Sequence, residues 1–154
     1  MRSLVWMFAA LAVAAAFSAC KAPYTMTTPP SFRRFEKSRD FKMITADGVM
    51  VKARQVENYP EGDLDFWTDA LERHLVERGY SMKGKNCFDT KTGKRGCTLD
   101  FVLPYGTADW AFSETIFVVG DTIVLVEAAG PFERYIKLEK ELAEALTTFE
   151  PHLN

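Results

Sequence analysis

Apolar residues crowd the start of the chain and then recur with two different periods. Leu4 to Phe17 is an unbroken apolar run of 14 residues behind the short basic Met1-Arg2-Ser3. A membrane-crossing helix needs ~20 residues, so this length fits the apolar segment of an export signal better than a span. Ala22 to Ser31 (APYTMTTPPS) is then rich in proline and threonine and poor in core formers, which predicts an extended tether. Folded structure is expected from Phe32. Phe32-Arg33-Arg34-Phe35 reads as an edge strand, and Phe41–Ala46 and Val49–Val56 flank Asp47-Gly48 as a hairpin with a type I′ turn. In the second arm Val49, Val51 and Ala53 alternate with Met50, Lys52 and Arg54, giving one packed and one partly wet face.

The period then changes. After the Asn58–Gly62 loop, Asp63 is placed to cap a helix whose stripe is Leu64, Trp67, Leu71 and Leu75, and Gly79 ends it. Tyr80–Cys87 and Cys97–Leu103 read as strands around a polar turn. Phe112–Val119 and Thr122–Ala128 form another pair around Gly120-Asp121, where a leading glycine favours type II′. Thr122-Ile123-Val124-Leu125-Val126 is almost wholly apolar, which marks a central strand covered on both faces. Gly130-Pro131 is expected to break that strand and open a last helix with Tyr135, Leu138, Leu142, Ala145, Leu146 and Phe149 on one face. The predicted order is β-β-β-α-β-β-β-β-α. It is an α+β fold in which a largely antiparallel sheet carries two main helices. The chain divides into a signal peptide (1–19), a lipidated cysteine with its tether (20–31) and a single globular domain (32–154).

Composition sharpens this division. The first 19 residues hold one charge, Arg2; without it, 18 basic face 21 acidic residues, a net charge of -3. That excludes a polytopic membrane protein, a disordered chain and a strongly basic nucleic-acid binder, so no nucleic-acid partner is expected.

The three cysteines separate by context. Phe17-Ser18-Ala19-Cys20 resembles the bacterial lipobox, with Phe17 in place of the usual leucine. The resemblance implies acylation of the Cys20 thiol and of the amine freed by cleavage, making the bilayer a partner through Cys20. More than one acyl chain gives stable attachment at ~0.8 kcal/mol per buried methylene. Lys21, in place of the aspartate that retains enteric lipoproteins at the inner membrane, favours the periplasmic side of the outer membrane. Cys87 and Cys97 flank a polar turn whose strands bring them together, so a disulfide is expected in an oxidising compartment. A redox pair would want C-x-x-C at a helix start, and zinc would want a second ligand pair.

Around that turn Lys83, Lys85, Lys91, Lys94 and Arg95 form a candidate interaction surface for phosphates or an acidic partner, against the plainer reading of a lysine-protected hairpin. His74 sits beside the first helical stripe and His152 follows the last helix. Ser81 and Ser113 lack a G-x-S-x-G elbow, so no catalytic constellation stands out. Glu127 ends the apolar run and is expected to point inward, paired with Arg134 or Lys137. Asp63, Asp65 and Asp69 suit a helix start, lacking the pattern of a calcium loop. No metal and no cofactor is implied. Trp67, Tyr105, Trp110 and Phe112 are candidates to line an apolar pocket between sheet and helix.

Three segments carry a family likeness: Met43-Ile44-Thr45-Ala46-Asp47-Gly48-Val49, the Asp63–Tyr80 helix ending Arg78-Gly79-Tyr80, and Val119-Gly120-Asp121 through Val126-Glu127-Ala128. They resemble small, uncharacterised bacterial envelope lipoproteins. The element order over about residues 32–150 resembles the PsbP-like fold, which includes photosystem PsbP and DcrB-type lipoproteins. This resemblance implies a docking module for other proteins and carries over no catalytic residue. The sequence therefore points to a non-enzymatic, membrane-anchored lipoprotein that docks an envelope protein or supports envelope assembly. The alternatives are a periplasmic carrier or sensor of a small ligand and, after it, a hydrolase or thiol enzyme.

Overall fold

The computed structural model describes residues 24–38 and 40–152. The expected signal peptide and Cys20 lie outside these residues. The elements in chain order are β1 (Tyr24–Thr25), β2 (Phe32–Arg34), β3 (Lys42–Thr45), β4 (Met50–Glu57), α1 (Leu64–Glu77), β5 (Ser81–Asp89), β6 (Arg95–Tyr105), β7 (Ala108–Val119), β8 (Thr122–Pro131), α2 (Phe132–Tyr135), α3 (Glu139–Leu146) and β9 (Glu150–Pro151).

Seven strands form one antiparallel sheet in the order β2-β3-β4-β8-β7-β6-β5, and β1 pairs with β9 in a separate two-stranded ladder. The apolar run Ile123–Val126 thus sits on the middle strand, as its composition predicts. Alternation along β8 feeds two cores. Val124, Val126 and Ala128 join Val51, Phe117, Leu142 and Phe149 beneath α2 and α3. Ile123 and Leu125 join Leu99, Ile116 and Leu75 beneath α1. The expected caps of α1 are present: the Asp63 carboxylate accepts from the Phe66 amide at 2.8 Å, and Gly79 has φ +90°.

Several local expectations are corrected. The β3–β4 turn is not type I′, because Gly48 alone has positive φ. Its amide donates to the Thr45 carbonyl at 3.1 Å, closing a turn over Ala46 and Asp47 that ends in a left-handed glycine. Gly130-Pro131 does not break β8, which runs through Pro131 opposite Trp110. The flanking β4 pairs only up to Ala129, so the missing proline donor falls beyond that ladder. The last helix is two pieces separated by Ile136–Leu138. Tyr135, Leu142, Ala145, Leu146 and Phe149 are nevertheless buried, as the helical stripe predicts.

The largest correction concerns the tether. Residues 24–31 lie along the domain. Tyr24 and Met26 are buried, the Tyr24 ring stacks on Phe149, and its hydroxyl donates to the Ala53 carbonyl at 3.2 Å. The Thr27 amide donates to Thr148 Oγ1 at 2.9 Å. Ser31 donates to Glu141 through its amide at 2.7 Å and its hydroxyl at 2.8 Å. Threonine and proline suit this strap because one aromatic, one methionine and a few hydrogen bonds to the far end of the chain hold it without a long ladder.

Candidate functional site

Helix α1 covers β5, β6, the adjoining part of β7 and the Ile123–Leu125 end of β8, and leaves β4 and the Glu127 end of β8 open on the same face of the sheet. Two buried carboxylates lie on this open side. Glu127 on β8 pairs in register with Lys52 on β4 and with Glu114 on β7. Lys52 Nζ lies 2.7 Å from Glu127 Oε2. Arg54 Nε donates to Glu127 Oε1 at 2.6 Å, and Arg54 Nη2 lies 3.3 Å from Glu114 Oε1. The Lys52 and Arg54 side chains are half-exposed, whereas the two acids they bind are nearly buried. Burial, then the Glu127 charge, pushes the Glu114 carboxyl up to about 7 against the lowering effects of Arg54 and Lys52. Burial also raises Glu127, but the hydrogen bonds from Arg54 and Lys52 outweigh it and hold this carboxyl below its ordinary value.

Glu127 is therefore inward and paired, but its partners are on β4. Arg134 instead donates to the Asp47 carbonyl. The cluster is flanked by two open apolar hollows. One, of about 360 Å³, lies between α1 and the sheet at Val56, Trp67, Leu71, His74 and Leu125. The other, of about 300 Å³, is lined by Tyr80, Leu103, Tyr105, Trp110 and Phe112. The four aromatics expected around a single pocket are thus divided, Trp67 in one hollow and the other three in the second.

The opposite face holds a different cavity. Between α2–α3 and the sheet lies a chamber of about 210 Å³. Its floor follows from register. One row across the sheet is Asp100–Ser113–Ala128–Val51, and the next is Asn86–Thr98–Thr115–Val126. The β5–β7 half is polar and the β8–β4 half apolar. Ser113 Oγ and Tyr135 Oη lie 2.6 Å apart, and the Thr98 and Thr115 hydroxyls 2.7 Å apart. Burial, then the charge of Glu139, raises the Asp100 carboxyl; burial raises the Tyr135 phenol. The sequence gives no sign of the chamber, because Thr98 and Asp100 alternate with Leu99 and Phe101 as on a wet strand face and the polar run Ser113-Glu114-Thr115 has no period. The break before α3, which sets Tyr135 and Glu139 above them, leaves no sequence signal as clear as a proline.

Cys87 and Cys97 are directly opposite in the β5–β6 ladder with Cα atoms 4.0 Å apart, and they form the expected disulfide. The basic residues beside it do not make one free patch. Lys85 Nζ lies 3.2 Å from Asp69 on α1, and Arg95 lies 3.2 Å from Asp89. Lys83, Lys91 and Lys94 are exposed, and the Lys91 amide is tied to the Thr147 carbonyl at 2.7 Å. His74 is exposed at the rim of the first hollow, and His152 Nε2 lies 3.0 Å from Thr25 Oγ1. Among the described residues no group of three or more His, Cys, Asp or Glu side chains is placed to hold a metal ion, and no helix is long and apolar enough to cross a membrane.

No protein-family model matches the chain, and no curated protein matches it in sequence. Its fold does match solved structures. LpqN of Mycobacterium tuberculosis, described as involved in cell envelope biogenesis, has a TM-score of 0.62 at 12% identity over 83% of each chain. The cyanobacterial PsbP (CyanoP) of Synechocystis has a TM-score of 0.53 at 10% identity, over 88% of this chain and 90% of that one. A Pseudomonas aeruginosa protein of unknown function has a TM-score of 0.53 at 8% identity, over 90% and 89%. The element order anticipated this PsbP-like fold, and at these identities the likeness is one of fold.

Proposed function

We propose that the protein is an exported lipoprotein, anchored through acylated Cys20, whose domain is a non-enzymatic docking module of the bacterial cell envelope. The observation that carries the docking role is the open side of β4 and the Glu127 end of β8: two apolar hollows on either side of the Lys52–Glu127–Arg54–Glu114 cluster. Apolar recesses beside neutralised charge suit a protein surface, because the partner meets little uncompensated charge while burying apolar area. Exposed Val56 and Tyr105 at the hollows offer further apolar area. The lipobox-like Phe17-Ser18-Ala19-Cys20 supports the anchor, and the fold shared with an envelope-biogenesis protein supports the compartment. Lys21 supports the periplasmic side of the outer membrane.

The test has two parts. Cys20→Ser should move the protein from membranes to the soluble fraction and remove an acyl mass; unchanged fractionation and no acyl mass on the parent refute the anchor. A photocrosslinker at Val56 or Tyr105 in growing cells should give a discrete protein adduct that is absent with the crosslinker at Ile136, which belongs to the segment between α2 and α3. Equal or absent adducts at all three positions refute the docking face. A second reading, a small-ligand carrier, is favoured by the chamber beneath α2–α3.

A further inference from the structure

The chamber between the sheet and α2–α3 is not accounted for by docking. A packed core layer is normally apolar, and buried polar groups there cost stability unless paired. Here adjacent β5–β7 positions in two neighbouring rows, Asn86, Thr98, Thr115, Asp100 and Ser113, bring polar side chains to one half of the floor. Val126, Ala128 and Val51 keep the other half apolar. The volume, about 210 Å³, exceeds the ~150 Å³ that already admits a benzene ring.

Charge selects among the molecules that would fit. The chamber's ionisable lining is Asp100 and Glu139 with the Tyr135 phenol, and no Lys, Arg or His lines it. Among the described residues, Asp100 has no side-chain hydrogen bond or ion pair, whereas the hydroxyls of Ser113, Tyr135, Thr98 and Thr115 are already paired with one another. The Asn86 amide is likewise without a side-chain bond but is exposed at the edge strand, so the charged group of the floor that lacks a protein partner is the Asp100 carboxylate, beside a second carboxylate at the rim. An anionic ligand would meet repulsion from both, and a neutral one would displace water from the half-buried Asp100 carboxylate without supplying a countercharge.

We propose that this chamber binds a small primary amine with an apolar body about one ring in size, its ammonium on Asp100 and its body over Val126 and Ala128. Glu139 at the mouth adds attraction for the cation, and the Ser113–Tyr135 hydroxyl pair offers a further acceptor for an ammonium proton. Burial raises the Asp100 carboxyl, and an ammonium in contact would restore its charged form. The proposal names the ligand class of the carrier reading and does not depend on the anchor or the docking face.

Binding of phenethylamine, phenethyl alcohol and phenylacetate to the purified protein, read by thermal shift and by NMR, tests it. Phenethylamine should raise Tm with concentration and shift the amide signals of Ser113, Ala128 and Leu142. The alcohol should bind about tenfold more weakly or worse, and phenylacetate not at all. Asp100→Asn should remove the preference for the amine. Ala128→Leu, which fills the apolar half, should abolish binding while preserving the native spectrum. No binding of phenethylamine, equal binding of the alcohol, or an unchanged preference in Asp100→Asn overturns the proposal. So does retained binding in Ala128→Leu. None of these outcomes bears on crosslinking at Val56 or on fractionation, so failure here is distinct from failure of the docking reading.

Discussion

Glu114 on β7 lies directly opposite Glu127 on β8, and the two like charges share one guanidinium, that of Arg54. Opposed carboxylates in adjacent strands normally repel. The arrangement persists because the acids differ: Glu127 has the close contacts and stays ionised, while Glu114 has the longer contact and the deeper burial.

This difference fixes the sign of a pH dependence. Glu114 titrates at about 7 in the folded chain and near ~4.3 when unfolded. Between those values the folded state holds the extra proton, so this group's stabilisation is full only below the unfolded value and is lost progressively as pH rises from there through about 7. Glu127 has the opposite sign: its folded value is depressed, so its contribution is present above the ordinary glutamate range and lost as pH falls through that depressed value. Glu114→Gln should therefore match the parent at pH ~4 and below, and exceed it by about 1–3 kcal/mol above pH ~8. Urea melts across that range check this; parallel curves for the two proteins would count against a buried, proton-holding Glu114.

Arg54 should matter more than a surface arginine. Arg54→Met leaves two facing carboxylates with only Lys52 nearby, and should cost about 2–4 kcal/mol at pH ~8 and less at pH ~5. Adding Glu114→Gln should recover part of that loss, so that the double variant departs from additivity. Additive effects would show that Arg54 does not couple to Glu114.

The strap at the start of the domain gives a third prediction. Tyr24→Ala removes a ring stacked on Phe149 and should cost about 3 kcal/mol, whereas Tyr24→Phe should cost about 1 kcal/mol for the bond to Ala53. A freely moving tether would give no loss in either. Denaturant melts of the two variants decide between them.

What the sequence disclosed and what it hid follow one physical line. Periodicity reports which side of an element is apolar. It therefore located the middle strand at Ile123–Val126, the α1 stripe with its Asp63 and Gly79 ends, and the core face of the last helical segment. It does not report which strands pair at long range. Glu127 was legible as an inward acid, but its partners Lys52 and Arg54 depend on β4 lying beside β8, some seventy residues away in the chain. The tether was misread for a related reason. Pro29-Pro30 and the threonines exclude a long strand, and nothing local reveals that Tyr24 finds Phe149. The polar chamber floor was hidden because a helix covers both faces of this part of the sheet, so a polar residue on β6 or β7 need not face water.

The Cys87–Cys97 bridge closes a short loop at the exposed edge strand β5. On the chain-entropy account it should stabilise the domain by about 2–3 kcal/mol. The protein without reductant should show no free thiol at either position, and a Cys87→Ser, Cys97→Ser double variant should melt at lower denaturant by that amount with its fold retained. An unchanged midpoint would mean the β5–β6 ladder holds the edge without the bridge.

Asn58 carries the last prediction, because one buried side chain joins three elements. Its carboxamide oxygen accepts from the Gly62 amide at 3.0 Å and from Trp67 Nε1 at 2.7 Å, and its nitrogen donates to the Gly62 and Gly120 carbonyls at 3.1 and 3.2 Å. All four hydrogen-bonding capacities of the side chain are used, tying the start of α1 to the β7–β8 turn. Asn58→Ala leaves the indole N–H of Trp67 and the Gly120 carbonyl without these partners, so the loss should exceed that of a single hydrogen bond and reach about 2–4 kcal/mol. Since Trp67 also lines the hollow between α1 and the sheet, the same variant should shift its fluorescence and weaken any adduct captured at Val56, while leaving phenethylamine binding in the chamber on the other face unchanged. Loss of both activities together would show that the variant had unfolded the sheet rather than loosened α1.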